Sequence, residues 1–368
     1  MLWLNTIQAE FWDALLLEHK ATGGSTHWYL VDGGPGGNYT DNLKEVLESV
    51  SKKGGALDAV VLSHVDNDHV LGLIDLFNDL LQAQVAGTPP VIGVSELWHN
   101  SFELVPGNPA VENDVKAAFA TASASGAAME TFGASVLGQG EGFQLRIKAL
   151  QLGLTPNLGF PNQEIRVETA PVIQRDGLTF RIVGPSQPNL HDLRDDWVDW
   201  LKTHEPKIAS GSPLAAAAAD DSIPNLSSVC LLVSEGTRSA LLTGDARGEH
   251  ILQNLEALKI IPKGGSLHVD LLKMPHHGSD RNSDPEFFER ITADRYVFSA
   301  NGKDGNPDTA TLIWLAEALK KQKRKAKIFA TNRTPSTDKL KALYAPATYG
   351  YELTILPATK KVARLKVG

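Results

Sequence analysis

The chain has 368 residues, and 35 Lys and Arg residues against 43 Asp and Glu residues give it a formal net charge of −8 at pH 7. This length is enough for two domains or for one large domain with insertions, and it excludes a small scaffold without a core. Hydrophobic residues make up 42% of the sequence and charged residues 21%, which is globular usage and excludes intrinsic disorder as the general state. The acidic balance disfavours a dedicated duplex-DNA binder, whose affinity depends on positive charge.

The cysteine content and the N-terminal sequence narrow the class of protein further. Cys230 is the single cysteine, so an internal disulfide and a cysteine-cluster zinc site are excluded, and any metal must be held by His, Asp or Glu. The N-terminus has no basic region and carries Glu10 and Asp13 within its apolar stretch, unlike a signal peptide. No run approaches the ~18 apolar residues that a membrane helix needs. We therefore expect a soluble cytoplasmic protein without membrane insertion.

Short apolar runs alternate along the chain with segments of helical spacing. Buried strands, rich in Val and Leu, are predicted at 28–31, 59–62, 229–233, 240–242 and 269–272. Helices are predicted, from apolar residues at helical intervals, at 40–53, 69–84, 248–258 and 309–325. This alternation predicts a layered α/β fold, which we take to form a single domain over residues 1–368.

Three further segments depart from this alternation. Residues 87–163 and 186–224 are rich in small residues and proline and have weak periodicity, apart from a helix predicted near 111–124. We interpret both segments as insertions, and segments of this length often act as lids or binding surfaces. The end of the chain, at 351–367, has two short apolar segments around a turn and predicts a β-hairpin.

The strongest functional signal is the run of four metal-type side chains between His64 and His69. It follows the predicted strand at 59–62 and precedes a predicted helix. In extended backbone, alternate side chains project to the same side, so we expect His64, Asp66 and Asp68 to converge, joined by His69 from the start of the helix. The alternative is a capped helix start with solvated carboxylates. The density of ligand types favours a metal site.

Other predicted strands end in residues of the same type. Asp32 follows the first strand, Asp245 follows the strand at 240–242, and His276 and His277 follow the strand at 269–272. Ligands bind outside the carboxyl ends of strands in open α/β sheets, so we expect these loops to share one edge with His64–His69. Taken alone, Asp245 also fits a helix-capping turn, and the two histidines also fit a structural and an exposed role.

These motifs together resemble the metallo-β-lactamase superfamily, and within it most closely the metallohydrolase domain of the ComEC type, named for the bacterial DNA-uptake competence protein. The matching stretches are 8–18, 31–34, 63–69, 225–228, 242–245 and 272–279. The resemblance implies an αββα sandwich with one or two divalent metal ions between its sheets. It further implies that Asp68, His69 and His276 bind one metal, that His64 and Asp66 face the other, that Asp245 bridges them and that Asp32 orients the ligands.

The sequence departs from the superfamily pattern at three positions. Asp66 replaces the second histidine of the commoner motif, as in the ComEC type; no histidine lies near Asn225; and Asn306 stands before Pro307 where a His-Pro pair is expected. One metal position therefore has few ligands. His277 is an alternative ligand, and His99 would supply another if segment 87–163 folded back over the site.

The expected chemistry follows from the metal. A metal lowers the pKa of bound water from 15.7 to about 7, which exceeds what a lone acid or base contributes, so we expect metal hydroxide as the nucleophile and no covalent enzyme intermediate. Asp68 and Asp245 would be the catalytic carboxylates. Lys273 lies beside the ligands and would hold a phosphoryl oxygen, although a solvated strand residue is an equal alternative. The His/Asp ligand set suits Zn²⁺, and its carboxylates also suit Mn²⁺.

The sequence predicts a metal-dependent hydrolase of the phosphodiesterase or nuclease type, with a phosphoester or nucleic acid as substrate. A hydrolase of a lactone, thioester or amide is the first alternative, because the superfamily uses this centre for acyl chemistry as well. A metal-poor regulatory or interaction module is the second, motivated by Asn225 and Asn306. Protein partners are unknown from the sequence.

Overall fold

The computed structural model describes residues 1–9, 13–100, 140–191, 225 and 227–368. The helix predicted near 111–124 and the interiors of both predicted insertions lie outside these residues.

The chain forms fourteen strands and eight α-helices among the described residues. The strands are β1 (Leu2–Ile7), β2 (Leu15–Lys20), β3 (Thr26–Val31), β4 (Leu57–Val61), β5 (Leu97–Trp98), β6 (Ile173–Arg175), β7 (Leu178–Gly184), β8 (Cys230–Glu235), β9 (Arg238–Leu242), β10 (Leu267–Lys273), β11 (Ile291–Phe298), β12 (Ala326–Ala330), β13 (Tyr351–Ile355) and β14 (Val362–Lys366). The helices are α1 (Lys44–Ser51), α2 (Asn67–Ala86), α3 (Gly140–Gln151), α4 (Gly248–Ala257), α5 (Pro285–Arg290), α6 (Thr309–Lys321), α7 (Pro335–Leu343) and α8 (Pro346–Tyr349). Among the described residues, no helix combines the length and apolar character needed to cross a bilayer.

The strands form two sheets. A six-stranded sheet has the order β14-β1-β2-β3-β4-β5, and an eight-stranded sheet has the order β13-β12-β11-β10-β9-β8-β7-β6. Strands β3, β4 and β5 are parallel, as are β9 to β13, so the carboxyl ends of several strands of each sheet meet at one edge.

Side-chain alternation along the strands divides the core into three layers. Tyr29, Trp98, Phe180 and Leu271 belong to a buried cluster that draws on both sheets and lies between them. A second cluster joins the first sheet to α1, α2 and α3, and a third joins the second sheet to α4, α5, α6 and α7. Helices therefore cover the outer face of each sheet. The predicted four-layer αββα sandwich is confirmed.

The predicted terminal hairpin at 351–367 is wrong. Strand β13 pairs with β12 in the eight-stranded sheet, whereas β14 pairs with β1 in the six-stranded sheet. The intervening turn thus crosses between the sheets. Two short apolar strands around a turn look alike whether they pair with each other or with two different partners, and the open edges of the two sheets decided the pairing here.

The described ends of segment 87–163 are part of the sandwich. Strand β5 extends the first sheet, and Leu145 and Ala149 of α3 are buried in its helix layer. The interpretation of 87–163 and 186–224 as insertions therefore does not apply to these flanking elements. For the interiors of both segments it stays a prediction.

His99, at the end of β5, is fully buried in the sandwich. Its backbone N–H donates to the Asn157 side chain (2.8 Å), and its carbonyl accepts from the same amide (2.6 Å). The ring nitrogens have no hydrogen-bond partner among the described residues. Burial, with a smaller effect of Arg146, lowers the pKa of His99 from 6.5 to about 3, so the ring is neutral.

Two glycines bring α2 into backbone contact with the loop after β3. A Cβ on Gly72 would lie 2.0 Å from the Gly33 carbonyl oxygen, and a Cβ on Gly33 would lie 2.4 Å from the Leu73 nitrogen. The Gly33 N–H donates to the His69 carbonyl (2.9 Å). This contact fixes the position of Asp32, which precedes Gly33, relative to His69, which lies one helical turn before Gly72.

We expect Gly72→Ala to lower the free energy of unfolding by about 1–3 kcal/mol despite the better helix propensity of alanine, because the backbones must separate. Urea unfolding checks this. Gly36→Ala is the matched control, because its Cβ would meet only Leu71 at 3.5 Å and should change stability by less than about 0.5 kcal/mol. Equal stabilities for the two variants would contradict the close approach.

The buried neutral His99 should make stability depend on pH. Its folded pKa lies below its unfolded pKa, so the unfolded chain binds the extra proton, and this contribution to stability is complete above pH 6.5 and is lost as pH falls toward 3. The free energy of unfolding of His99→Leu relative to wild type should therefore rise by about 1.4 kcal/mol per pH unit between pH 6 and 4. Urea unfolding at each pH measures the difference, which should be constant above pH 7. A constant difference down to pH 4 would contradict a buried neutral ring.

Candidate metal centre

The loops that carry the predicted ligands meet where the two sheets approach each other. The loop after β4 bonds to the second sheet through the Ser63 carbonyl, which accepts from the Val229 N–H (2.8 Å). Within the second sheet, the His276 N–H donates to the Gly244 carbonyl (3.2 Å), which joins the loops after β9 and β10. Strand ends from both sheets therefore face one site.

Asp245 lies at the middle of four imidazoles. Its Oδ2 is 3.3 Å from His277 Nε2, 3.6 Å from His276 Nε2 and 3.9 Å from His64 Nε2. Its Oδ1 is 3.5 Å from His69 Nε2. The carboxylate therefore reaches histidines from both sheets, as expected of a group shared between two ions.

The two carboxylates of the loop after β4 lie on either side of this group. Asp68 Oδ2 is 3.1 Å from His69 Nε2 and 3.6 Å from His277 Nε2, whereas Asp66 Oδ2 is 3.4 Å from His64 Nε2. The ligand atoms form two sets, each with all members within 4.8 Å of one another: Asp13, His69, Asp245 and His277, and His64, Asp68 and His69. Neither set contains His99.

Each of the four histidines has its Nδ1 bonded to a group that accepts a proton. The acceptors are Asp32 Oδ2 for His69 (2.8 Å), the Ser299 carbonyl for His277 (3.0 Å), Asn282 Oδ1 for His276 (2.7 Å) and Ser63 Oγ for His64 (3.0 Å). Ser63 gives its own hydroxyl proton to Asp32 (2.7 Å), so it accepts from His64. All four rings therefore direct Nε2 at the centre, and a ring that gives up its Nε2 proton would offer a lone pair there, which is the arrangement of metal-ligating histidines.

The buried atoms at the centre fit a metal ion. His64 Nε2, His69 Nε2 and Asp245 Oδ1 have no hydrogen-bond partner within the described ranges. Buried polar atoms without partners are costly, and imidazole nitrogen with carboxylate oxygen is a common ligand set for zinc and other divalent ions. The residues present therefore suit one or two such ions.

Charge compensation among the side chains perturbs their proton affinities. Burial opposes charging of His69, but Asp68, Asp245 and Asp32 outweigh it and raise the pKa of His69 well above its ordinary value. Against the same effect of burial, Asp245 and Asp13 raise the pKa of His277 to about 9.

The carboxylates respond in the opposite direction. Burial acts to raise the pKa of Asp245, but His277, His276 and His69 hold it well below its ordinary value. His69 likewise outweighs burial and lowers the pKa of Asp68. Protons on the imidazoles thus balance the carboxylates, and a cation bound at Nε2 would replace those protons.

Solvent exposure shows from which side a substrate can reach the centre. The side chains of Asp66 and His276 are each 24% exposed and that of Asp68 is 12% exposed. The side chains of His64, His69 and Asp245 are at most 1% exposed. The centre therefore opens on the side of Asp66, Asp68 and His276.

Three of the side chains stand on unusual backbone. Asp32, His276 and His277 have φ of 59°, 43° and 57°, in the left-handed region that costs non-glycine residues roughly 1–3 kcal/mol. Gly278 follows with φ of 91°, and a Cβ there would lie 2.7 Å from Phe298. The consecutive left-handed residues are what direct both His276 and His277 toward Asp245.

Lys273 is not placed as predicted. Its side chain is fully buried, and its Nζ lies 2.7 Å from Asp13 Oδ2 and donates to the Met274 carbonyl (2.9 Å). The ammonium is therefore neither a solvated strand group nor free to meet a phosphoryl oxygen, because Asp13 already neutralises it. The sequence prediction failed here because the partner comes from the other sheet.

The two asparagines at expected ligand positions border the site. Asn225 is buried and its carbonyl accepts from Ser228, whose hydroxyl accepts from the Asp245 N–H (3.1 Å). Asn306 donates through Nδ2 to the His276 carbonyl (3.5 Å). Both asparagines therefore support the backbone of ligand-bearing loops.

Sequence reasoning gave no role to three residues that build the centre. Asp13 lies in the stretch 8–18 of the family resemblance, and that match is the sequence feature that could have identified it. Ser63 and Asn282 orient His64 and His276, and Asn282 also donates to the Asp245 carbonyl (2.8 Å). Serine and asparagine near a motif are too common for the sequence to single them out.

Comparison with known proteins gives one sequence match. Residues 14–85 match the family model of the metallo-beta-lactamase superfamily. No curated protein matches the sequence. Members of this superfamily are mostly metal-dependent hydrolases.

Several solved structures have similar folds at low identity. The metallo-beta-lactamase fold protein YhfI from Bacillus subtilis is 11% identical over 99% of this chain and 100% of its own, with a TM-score of 0.41. Zn²⁺-bound PqqB from Methylobacterium extorquens is 11% identical over 96% and 87%, with a TM-score of 0.36. A long-form RNase Z from yeast is 10% identical over 96% and 44%, with a TM-score of 0.38.

The family match covers β2 to α2 and contains the loop with His64, Asp66, Asp68 and His69. The fold around this loop is the predicted αββα sandwich. The loop that carries these four side chains therefore lies in the part of the chain that matches the metallo-β-lactamase superfamily.

Proposed function

We propose that the protein is a metal-dependent hydrolase. The observation that carries this proposal is the Asp245 carboxylate, which lies within 3.9 Å of the Nε2 atoms of four histidines whose Nδ1 atoms are all bonded elsewhere. The predicted alternative of a capped helix start with solvated carboxylates does not account for the buried nitrogens.

The two closest groups of ligand atoms share His69, but with Asp13 paired to Lys273 we assign the residues to two ligand sets that share Asp245. Asp68, His69 and His277 would hold one ion, because His277 Nε2 is buried and close to both carboxylates. His64, Asp66 and His276 would hold a second ion nearer the opening. The first set contains His277, whereas the family resemblance implied His276 at this position. The more exposed second set is the weaker one.

An ion held by these residues would supply Lewis acidity, which polarises a substrate and lowers the pKa of water. The chain supplies orientation. Asp68, ionised and partly exposed, is positioned to accept a hydrogen bond from an attacking water at the opening. Asp32, Ser299 and Asn282 keep the rings from turning through the bonds to Nδ1.

We propose a phosphodiester as the substrate class, with nucleic acid or a nucleotide-like compound as the wider group. Support comes from the resemblance of the ligand motifs to the ComEC type. Because Asp13 neutralises Lys273, a phosphoryl group would depend on the metal ions for its positive charge. The same pairing keeps hydrolysis of a lactone, thioester or amide as the second candidate, since such substrates carry no phosphoryl charge for Lys273 to neutralise.

The proposal predicts that Asp245→Asn loses both metal and turnover. Wild type reconstituted with Zn²⁺ or Mn²⁺ should hold at least one ion per chain by mass spectrometry and should hydrolyse either bis(p-nitrophenyl) phosphate or a lactone. Asp245→Asn should lose at least about 100-fold in kcat/KM, since even residues behind the ligands contribute 10–100-fold. The two substrates distinguish phosphoester from acyl chemistry.

Asp270→Asn is the matched control, because Asp270 bonds to the Ser239 N–H (2.8 Å) outside the site. It should keep wild-type metal content and turnover. A wild-type chain that stays metal-free after reconstitution would contradict the proposal, and would favour the regulatory or interaction module instead.

A further inference from the structure

One buried ion pair adjoins the centre without belonging to the predicted ligand sets. Lys273 ends β10 of the eight-stranded sheet, and Asp13 precedes β2 of the six-stranded sheet. Their charged atoms are 2.7 Å apart and both side chains are at most 1% exposed. The pair therefore joins the two sheets in a region where water does not screen charge.

Asp13 also faces the centre. Its Oδ1 is 3.7 Å from His277 Nδ1, and one of its oxygens lies within 4.8 Å of ligand atoms of His69, Asp245 and His277. By distance alone, Asp13 qualifies as a metal ligand. The contact with Lys273 decides against this, because moving the carboxylate onto an ion would leave a buried ammonium without its counter-charge.

Resting on the proposed function, we propose that Asp13 and Lys273 are a positioning pair for the metal centre. The Ser299 carbonyl accepts the hydrogen bond from His277 Nδ1, and the Asp13 carboxylate adds a negative charge 3.7 Å from the same nitrogen, so that Nε2 stays directed at Asp68 and Asp245. Lys273 holds Asp13 in that place and prevents it from becoming a ligand. The pair is neutral, so it stabilises the site whether or not an ion is bound.

This arrangement predicts opposite effects for the two halves of the pair. Asp13→Asn leaves the Lys273 charge uncompensated beside the centre, and we expect Co²⁺ affinity to fall by about 10–100-fold. Lys273→Met frees the Asp13 carboxylate to approach the ion, and affinity should be at least that of wild type. The visible spectrum of the Co²⁺ protein should weaken in Lys273→Met, since added ligands reduce absorption. The double variant should return to within about 5-fold of wild type, because no lone charge remains.

The experiment is a Co²⁺ titration of the full chain against a competing chelator, with absorption spectra and circular dichroism for each variant. Lys273→Arg keeps the charge and should bind as wild type does. Arg175→Met is the matched control, because it breaks an ion pair with Glu96 (2.8 Å) that touches none of the ligands. It should leave affinity and spectrum unchanged.

Three results would overturn the pairing. A loss in Asp13→Asn as large as in Asp245→Asn and not restored in the double variant would make Asp13 a ligand. Weaker binding in both single variants, with unchanged spectra, would make the pair purely structural. If a single variant does not fold, a double variant more than 100-fold weaker than wild type decides against the proposal. Wild type that binds no Co²⁺ would instead refute the proposed function.

Discussion

The neutralisation of Asp245 is the constraint on which the rest of the site depends. A carboxylate that is 1% exposed must be compensated, and its counter-charges come from imidazoles on both sheets. The strand ends of the two sheets can therefore lie this close only because His69 and His277 both compensate the charge of Asp245. The backbone strain at His276 and His277 and the glycine contact between Gly33 and Gly72 are local costs of that convergence.

The charge compensation between carboxylates and imidazoles also explains why the site is suited to a metal ion. Side chains that share protons in the absence of an ion can exchange those protons for a divalent cation without a change of fold. The Nδ1 bonds fix the rings in advance, so little ordering remains when an ion binds. In the Asp13–Lys273 pair the ammonium neutralises the carboxylate, so the pair adds a fifth carboxylate beside the centre without adding net charge.

Much of the fold was predictable from periodicity, because the local spacing of apolar residues indicates buried strands and amphipathic helices. The five predicted strands correspond to β3, β4, β8, β9 and β10, and the four helices to α1, α2, α4 and α6. The predictions that were wrong concern which strands pair and which side chains contact each other. The segment at 351–367 has the composition of a hairpin, yet its strands pair with opposite sheets, and Lys273 meets a residue some 260 positions earlier in the chain.

The sequence by itself determined the layered α/β class and the residue types of the ligand loop, because alternation and spacing are local properties of the chain. Tertiary structure alone decided that His277 rather than His276 is the buried neighbour of Asp68, and that Asp13 occupies Lys273. Such choices depend on the packing of one sheet against the other, which brings together atoms whose separation along the chain carries no signal.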